Sequence, residues 1–156
     1  MFKFSGKRPA NLGAKNGKLA PVVNKPNNVS SQADTNDRAH YVAPLKFAGD
    51  AAEAFQRLVK LVQAQPRARV VTQDGQYLHA EFSSALMGFV DDVEFLLAPD
   101  QMVIHVRSAA RLGYSDLGVN PKRVESLRAQ FPEQPTQRLE PVNTGGRIRA
   151  RNQLWP

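Results

Sequence analysis

Three short runs in the middle of the chain bring imidazoles, carboxylates and a guanidinium close together: HAEFS at 79–83, FVDDVEF at 89–95 and HVRS at 105–108. Side chains alternate between the faces of an extended strand. His79 therefore shares a face with Glu81, Asp92 with Glu94, and His105 with Arg107. A carboxylate beside two imidazoles can orient them, raise their pKa and move protons. The same three groups, His79, Glu94 and His105, fall one ligand short of a four-coordinate metal site and lack a recognised spacing motif. The segment RSAARLGYSDLGVNPKR at 107–123 adds Arg107, Ser108, Arg111, Tyr114, Asp116, Asn120 and Arg123. It is too polar to be core, and guanidiniums near carboxylates can hold an anionic ligand through paired hydrogen bonds.

These groups must be positioned by regular elements, and periodicity shows which. HYVAPLKF at 40–47 is β-prone but broken by Pro44, which suits an edge strand. From Asp50 the spacing becomes helical: Ala51, Phe55, Leu58 and Val62 fall on one face, Arg57 and Lys60 turn away, and Pro66 ends the run. ARVVTQ and QYLHAEFSS flank Asp74-Gly75, a pair favoured in type I′ hairpins, and FVDDVEFLL and QMVIHVRS flank Ala98-Pro99-Asp100. Asn120-Pro121 reads as an N-cap and first turn, with Val124, Leu127 and Phe131 as the apolar stripe of a second helix. The order is β-α-β-β-β-β-α. An α+β fold follows, an antiparallel meander of about five strands with both helices on one face, similar in element order to half of the TATA-binding protein.

The simplest hairpins pair Ser84 with Phe89 and Ala98 with Gln101. One face then carries Leu78, Phe95 and Ile104, followed by Ala80, Val93 and Val106, and is core. The opposite face places His79, Glu94 and His105 in one row and Glu81, Asp92 and Arg107 in the next, as an exposed charged lattice. Asp91 falls on the core side between Phe82 and Ser108, where an unpaired carboxylate is costly. It needs donors, which Arg107, Ser108, Arg111, Tyr114 and the GYSDLGVN backbone can supply, and so reads as a clamp on loop 109–120. His40 reads as a surface residue.

Charge is uneven. Residues 1–34 hold six Lys/Arg against one acid, 35–132 hold eleven against eleven, and 133–156 hold four against two. The chain divides on this reading into a basic extended N-terminal arm (1–34), one α+β domain (35–132) and a basic flexible C-terminal tail (133–156). There is no cysteine, so no disulfide framework or thiolate metal site. No apolar run is long enough to span a bilayer and no signal peptide is legible, which makes cytoplasmic the default location. No cofactor motif is present.

HAEFSSALMGFVDDVEF (79–95) and VRSAARLGYSDLGVNPKRVESLR (106–128), with RPANLG (8–13) and PNNVSSQA (26–33), resemble the bacterial family catalogued as domain of unknown function 1499. The resemblance implies no established activity. It marks Asp91, Asp92, Glu94, Arg107, Ser108, Arg111, Tyr114, Asp116, Gly118, Asn120 and Arg123 as motif positions. Relatives carry a cysteine pair around the Pro-Asn segment where this chain has Val22 and Asn28, and tend to carry serine at Ala110.

Three functional readings follow. The first is binding of a small anionic ligand or a partner where loop 109–120 meets the strand ends. The second is an enzyme using His79, Glu81, Asp92, Glu94 and His105 for acid/base chemistry. The third is weak association of the basic ends with nucleic acid or anionic membrane, although a neutral middle argues against a dedicated nucleic-acid reader.

Overall fold

A computed structural model describes residues 5–134. Six strands form one antiparallel sheet: β1 (Asn28–Ser30), β2 (Leu45–Lys46), β3 (Ala68–Gln73), β4 (Tyr77–Ser83), β5 (Val90–Ala98) and β6 (Val103–Ala110). The spatial order is β1-β6-β5-β4-β3, and β2 also pairs with β6, beyond β1 along the same edge. Helices α1 (Ala51–Gln63) and α2 (Val119–Gln130) complete the α+β fold in the order expected from periodicity. The sixth strand is β1, which lies in the segment assigned to the arm. The 40–47 run shrinks to Leu45–Lys46, because Pro44 has no N–H to give a ladder, and Tyr41 instead bridges Ser30 in parallel.

Both helices cover one face. Phe55 and Leu58 of α1 and Val124 and Leu127 of α2 join Leu78, Val93, Phe95 and Val106 in one buried cluster. Each such side chain contributes about 1.5–3 kcal/mol on leaving water. Asp50 caps α1, its side chain accepting the Glu53 N–H at 2.8 Å. The expected cap of α2 is displaced. Gly118, in the left-handed region at φ 81°, precedes the helix, and Asp116 accepts the Gly118 and Asn120 N–H groups, so Asn120 is free to turn inward.

The Asp74-Gly75 connection is not a type I′ turn, since neither residue has positive φ. The Asp74 carboxylate instead accepts the Gln76 and Tyr77 N–H groups, each at 2.8 Å. The β4–β5 register is the expected one, with Leu78 opposite Phe95 and Ala80 opposite Val93. The β5–β6 register is not. Ala98 pairs with Val103 rather than Gln101, because a 3₁₀ turn at Pro99–Gln101 and a left-handed Met102 occupy the connection. A slip of two residues keeps every side chain on its face and changes every neighbour.

Candidate functional site

The residues grouped with Asp91 in the loop set divide between two clusters on opposite faces of the sheet, Arg107 and Arg111 joining the sheet-face patch. On the core side, Asp91 lies opposite Phe82, as expected, but its partner is Arg123 of α2 at 2.7 Å. Arg107, Arg111 and Tyr114 do not reach it, because the first two alternate to the other face and Tyr114 stands exposed in the loop. Arg123 also donates to Asn120 (2.8 Å) and Ser108 (3.3 Å), and its guanidinium stacks over Phe82 at 5.0 Å. Ser108 Oγ donates to Asn120 Oδ1, and Asn120 Nδ2 donates to Asp116 and to the Asn27 backbone carbonyl. Asn27 Nδ2 donates in turn to Gly113 O. This cluster fastens the loop to the sheet. Burial pushes the Asp91 carboxyl above its ordinary range against the pull of Arg123.

On the other face the lattice is buried rather than exposed. Asp92, Glu94, His79 and Arg107 are all less than 5% accessible. Arg111 Nε and Nη2 donate to the two Asp92 oxygens at 2.7 and 2.8 Å, and Nη2 also reaches Glu81. Arg8 and Arg69 close on the second Glu81 oxygen at 2.8 and 3.0 Å. His79 Nε2 meets Asp92 at 2.7 Å. Burial opposes ionisation of Asp92, but the Arg111 and His79 hydrogen bonds outweigh it and hold the carboxyl below its ordinary range. Burial likewise opposes ionisation of Glu81, and Arg111, Arg8 and Arg69 override it.

The row His79, Glu94, His105 does not exist as a unit. Glu94 lies opposite Arg107, and His105 opposite Leu96. Glu94 accepts from the Tyr77 hydroxyl at 2.5 Å, the Gly13 N–H at 2.9 Å and Arg107 at 3.3 Å. His105 contacts Ser31 Oγ through Nδ1 and Gln101 through Nε2, and burial lowers its pKa. The two imidazoles thus have different partners, and the acid/base relay drawn from the sequence loses its geometry.

The cover over this face comes from the N-terminal segment. Gly13 seals Glu94 and Tyr77, Leu19 packs on Tyr77 and Leu96, and Ser31 accepts the Val106 N–H. Burial and the Glu94 carboxylate push the Tyr77 hydroxyl far above its ordinary pKa. Sequence reasoning missed Gly13, Tyr77, Asn27 and Ser31 as partners. His40 is also buried rather than on the surface, held by Asp37 at 2.8 Å and by the Lys25 carbonyl. The tail expected from 133 lies outside the described residues beyond 134.

A cavity of about 410 Å³ opens where β6 runs into the loop, lined by Lys25, Asn28, Asp92, Arg107, Arg111 and Leu112 among others. Arg107 is 4% accessible, and its Nε is buried without a hydrogen-bond partner. None of the helices among the described residues is long and apolar enough to cross a membrane.

No curated protein matches the chain. The model of a family described as a protein of unknown function (DUF1499) matches residues 18–131, a span that takes in all six strands and both helices. The chain belongs to the DUF1499 family.

Proposed function

We propose that the domain binds a small anionic ligand in the cavity at the β6–loop junction, with Arg107 as the principal contact. The observation that carries this reading is the Arg107 guanidinium, which lines the cavity with one long hydrogen bond to Glu94 and a buried, unpartnered Nε. An orphaned buried donor costs about 1–3 kcal/mol, and more when charged. A carboxylate or phosphate oxygen offered from the cavity removes that cost. Lys25 and Arg111 line the same space, and the charge of Asp92 is already met by Arg111 and His79. The volume falls within the range of roughly 300–1,000 Å³ usual for small-molecule sites.

Calorimetry with inorganic phosphate, sulfate and short dicarboxylates tests the reading. Saturable binding to the native chain, lost in Arg107→Gln at unchanged circular dichroism, is the expected result. No heat with any anion, together with a less stable Arg107→Gln, leaves Arg107 a purely structural role.

A further inference from the structure

We infer that the end of the sheet carrying loops 84–89 and 111–118 is a docking face for an anionic lipid bilayer. Strand directions put both loops at one end: β4 leaves the sheet at Ser83, β5 enters at Val90, and β6 leaves at Ala110. Their tips carry Leu86 (92% exposed), Leu117 (87%) and Tyr114 (69%), with Met87, Leu112 and Val119 also exposed. Met102 is the one large apolar side chain of the described residues exposed at the opposite end.

Cations surround these tips. Arg67 donates to the Ser83 carbonyl, Lys122 lies against Gly118, Lys7 follows Gly6 beside Leu112, and Lys25 shares a cavity with Leu112. All four are exposed. The carboxylates nearest the tips are engaged internally, Asp91 by Arg123, Asp92 by Arg111 and Asp116 by the start of α2. The far end carries exposed acids, Asp74 and Asp100 in the hairpin turns and Asp50 and Glu53 at the start of α1, beside the exposed Lys46 of β2.

Apolar knobs rimmed by cations match an anionic interface, where acyl chains take the knobs and headgroups take the cations. Tyr114, apolar in body and polar at its tip, suits the interfacial layer. Side chains this fully exposed on separate tips enter a deformable phase without the preformed pockets that a protein partner would need. This reading rests on the tips rather than on the cavity, so the two stand or fall separately.

The test is flotation of the full chain with phosphatidylcholine vesicles, with and without phosphatidylglycerol. The chain has no native cysteine, so Leu86→Cys, Leu117→Cys and Met102→Cys can each carry a single environment-sensitive fluorophore. Expected are binding only to the anionic vesicles, a blue shift at positions 86 and 117 but not at 102, and about a tenfold loss of partitioning in Leu86→Ser/Leu117→Ser. Unchanged binding of that double variant assigns the attraction to the basic ends and overturns the inference, as does absence of binding. Self-quenching at 86 or 117 without lipid points to a second copy on this face and also overturns it. Arg107→Gln should bind vesicles like the native chain; if it alone fails, the lipid contact lies in the cavity instead.

Discussion

Arg111 and Asp92 meet fork to fork across the sheet, both carboxylate oxygens accepting from one guanidinium, with 5% and 1% of the two side chains accessible. A buried pair of this kind is costly to break, because the survivor stays charged and unpaired. Arg111→Ala should destabilise the fold by roughly 3–5 kcal/mol. Arg111→Lys keeps the charge but lacks the planar fork and should recover only part of that loss. Urea unfolding of the two variants checks this; a lysine variant as stable as the native chain would show that charge alone suffices.

The two adjacent acids should titrate with opposite sign. Asp91 is raised by burial, so its contribution to stability is present below the unfolded value near 3.8 and is lost as pH rises through the folded one. Asp92 is held low, so its contribution is present above that unfolded value and is lost as pH falls through the folded one. The stability gap between the native chain and Asp91→Asn should therefore narrow from pH 4 towards neutrality, whereas the gap to Asp92→Asn should narrow on acidification. Denaturation at a series of pH values separates the two, and slopes of the same sign would contradict the assignment.

Tyr77→Phe removes one donor from Glu94 and leaves the ring to pack on Leu19 and Leu96. Glu94 keeps its bonds to Gly13 and Arg107, so the cost should be about 1–2 kcal/mol. The Gly13 amide also donates to the lost hydroxyl at 3.0 Å, and its hydrogen exchange should accelerate more than that of amides in the core strands. Equal exchange at Gly13 would show that Glu94 alone holds this segment.

Removal of residues 1–17 takes away the Gly13 bond and the Arg8 contact but none of the sheet. The shortened chain should retain its far-ultraviolet dichroism, unfold at lower urea and bind an apolar dye more strongly, because Tyr77 and Leu96 lose part of their cover. An unchanged midpoint would mean that this segment contributes nothing to stability.

The core was readable because its signals are local. Leu78, Phe95 and Val106 alternate cleanly, and Phe55, Leu58 and Val62 recur at helical spacing. Asp91 was readable too, since two adjacent acids in a strand cannot both face outward. Its true partner was not, because Arg123 sits on a helix whose approach depends on the Gly118 and Asp116 turn rather than on any periodicity. The buried lattice was misjudged for a different reason. Residues 5–19 have few large apolar side chains and dock mainly through backbone N–H groups and Arg8, contacts that hydropathy does not register.

The 3₁₀ turn between β5 and β6 sets more than a hairpin. Because its length decides which side chains meet across β5 and β6 while keeping each on its own face, it acts as a vernier between two rulers. The same sequence closed by a two-residue turn, with Ala98 opposite Gln101, would set His105 opposite Glu94 and Arg107 opposite Asp92, so the choice of turn alone selects which polar groups meet.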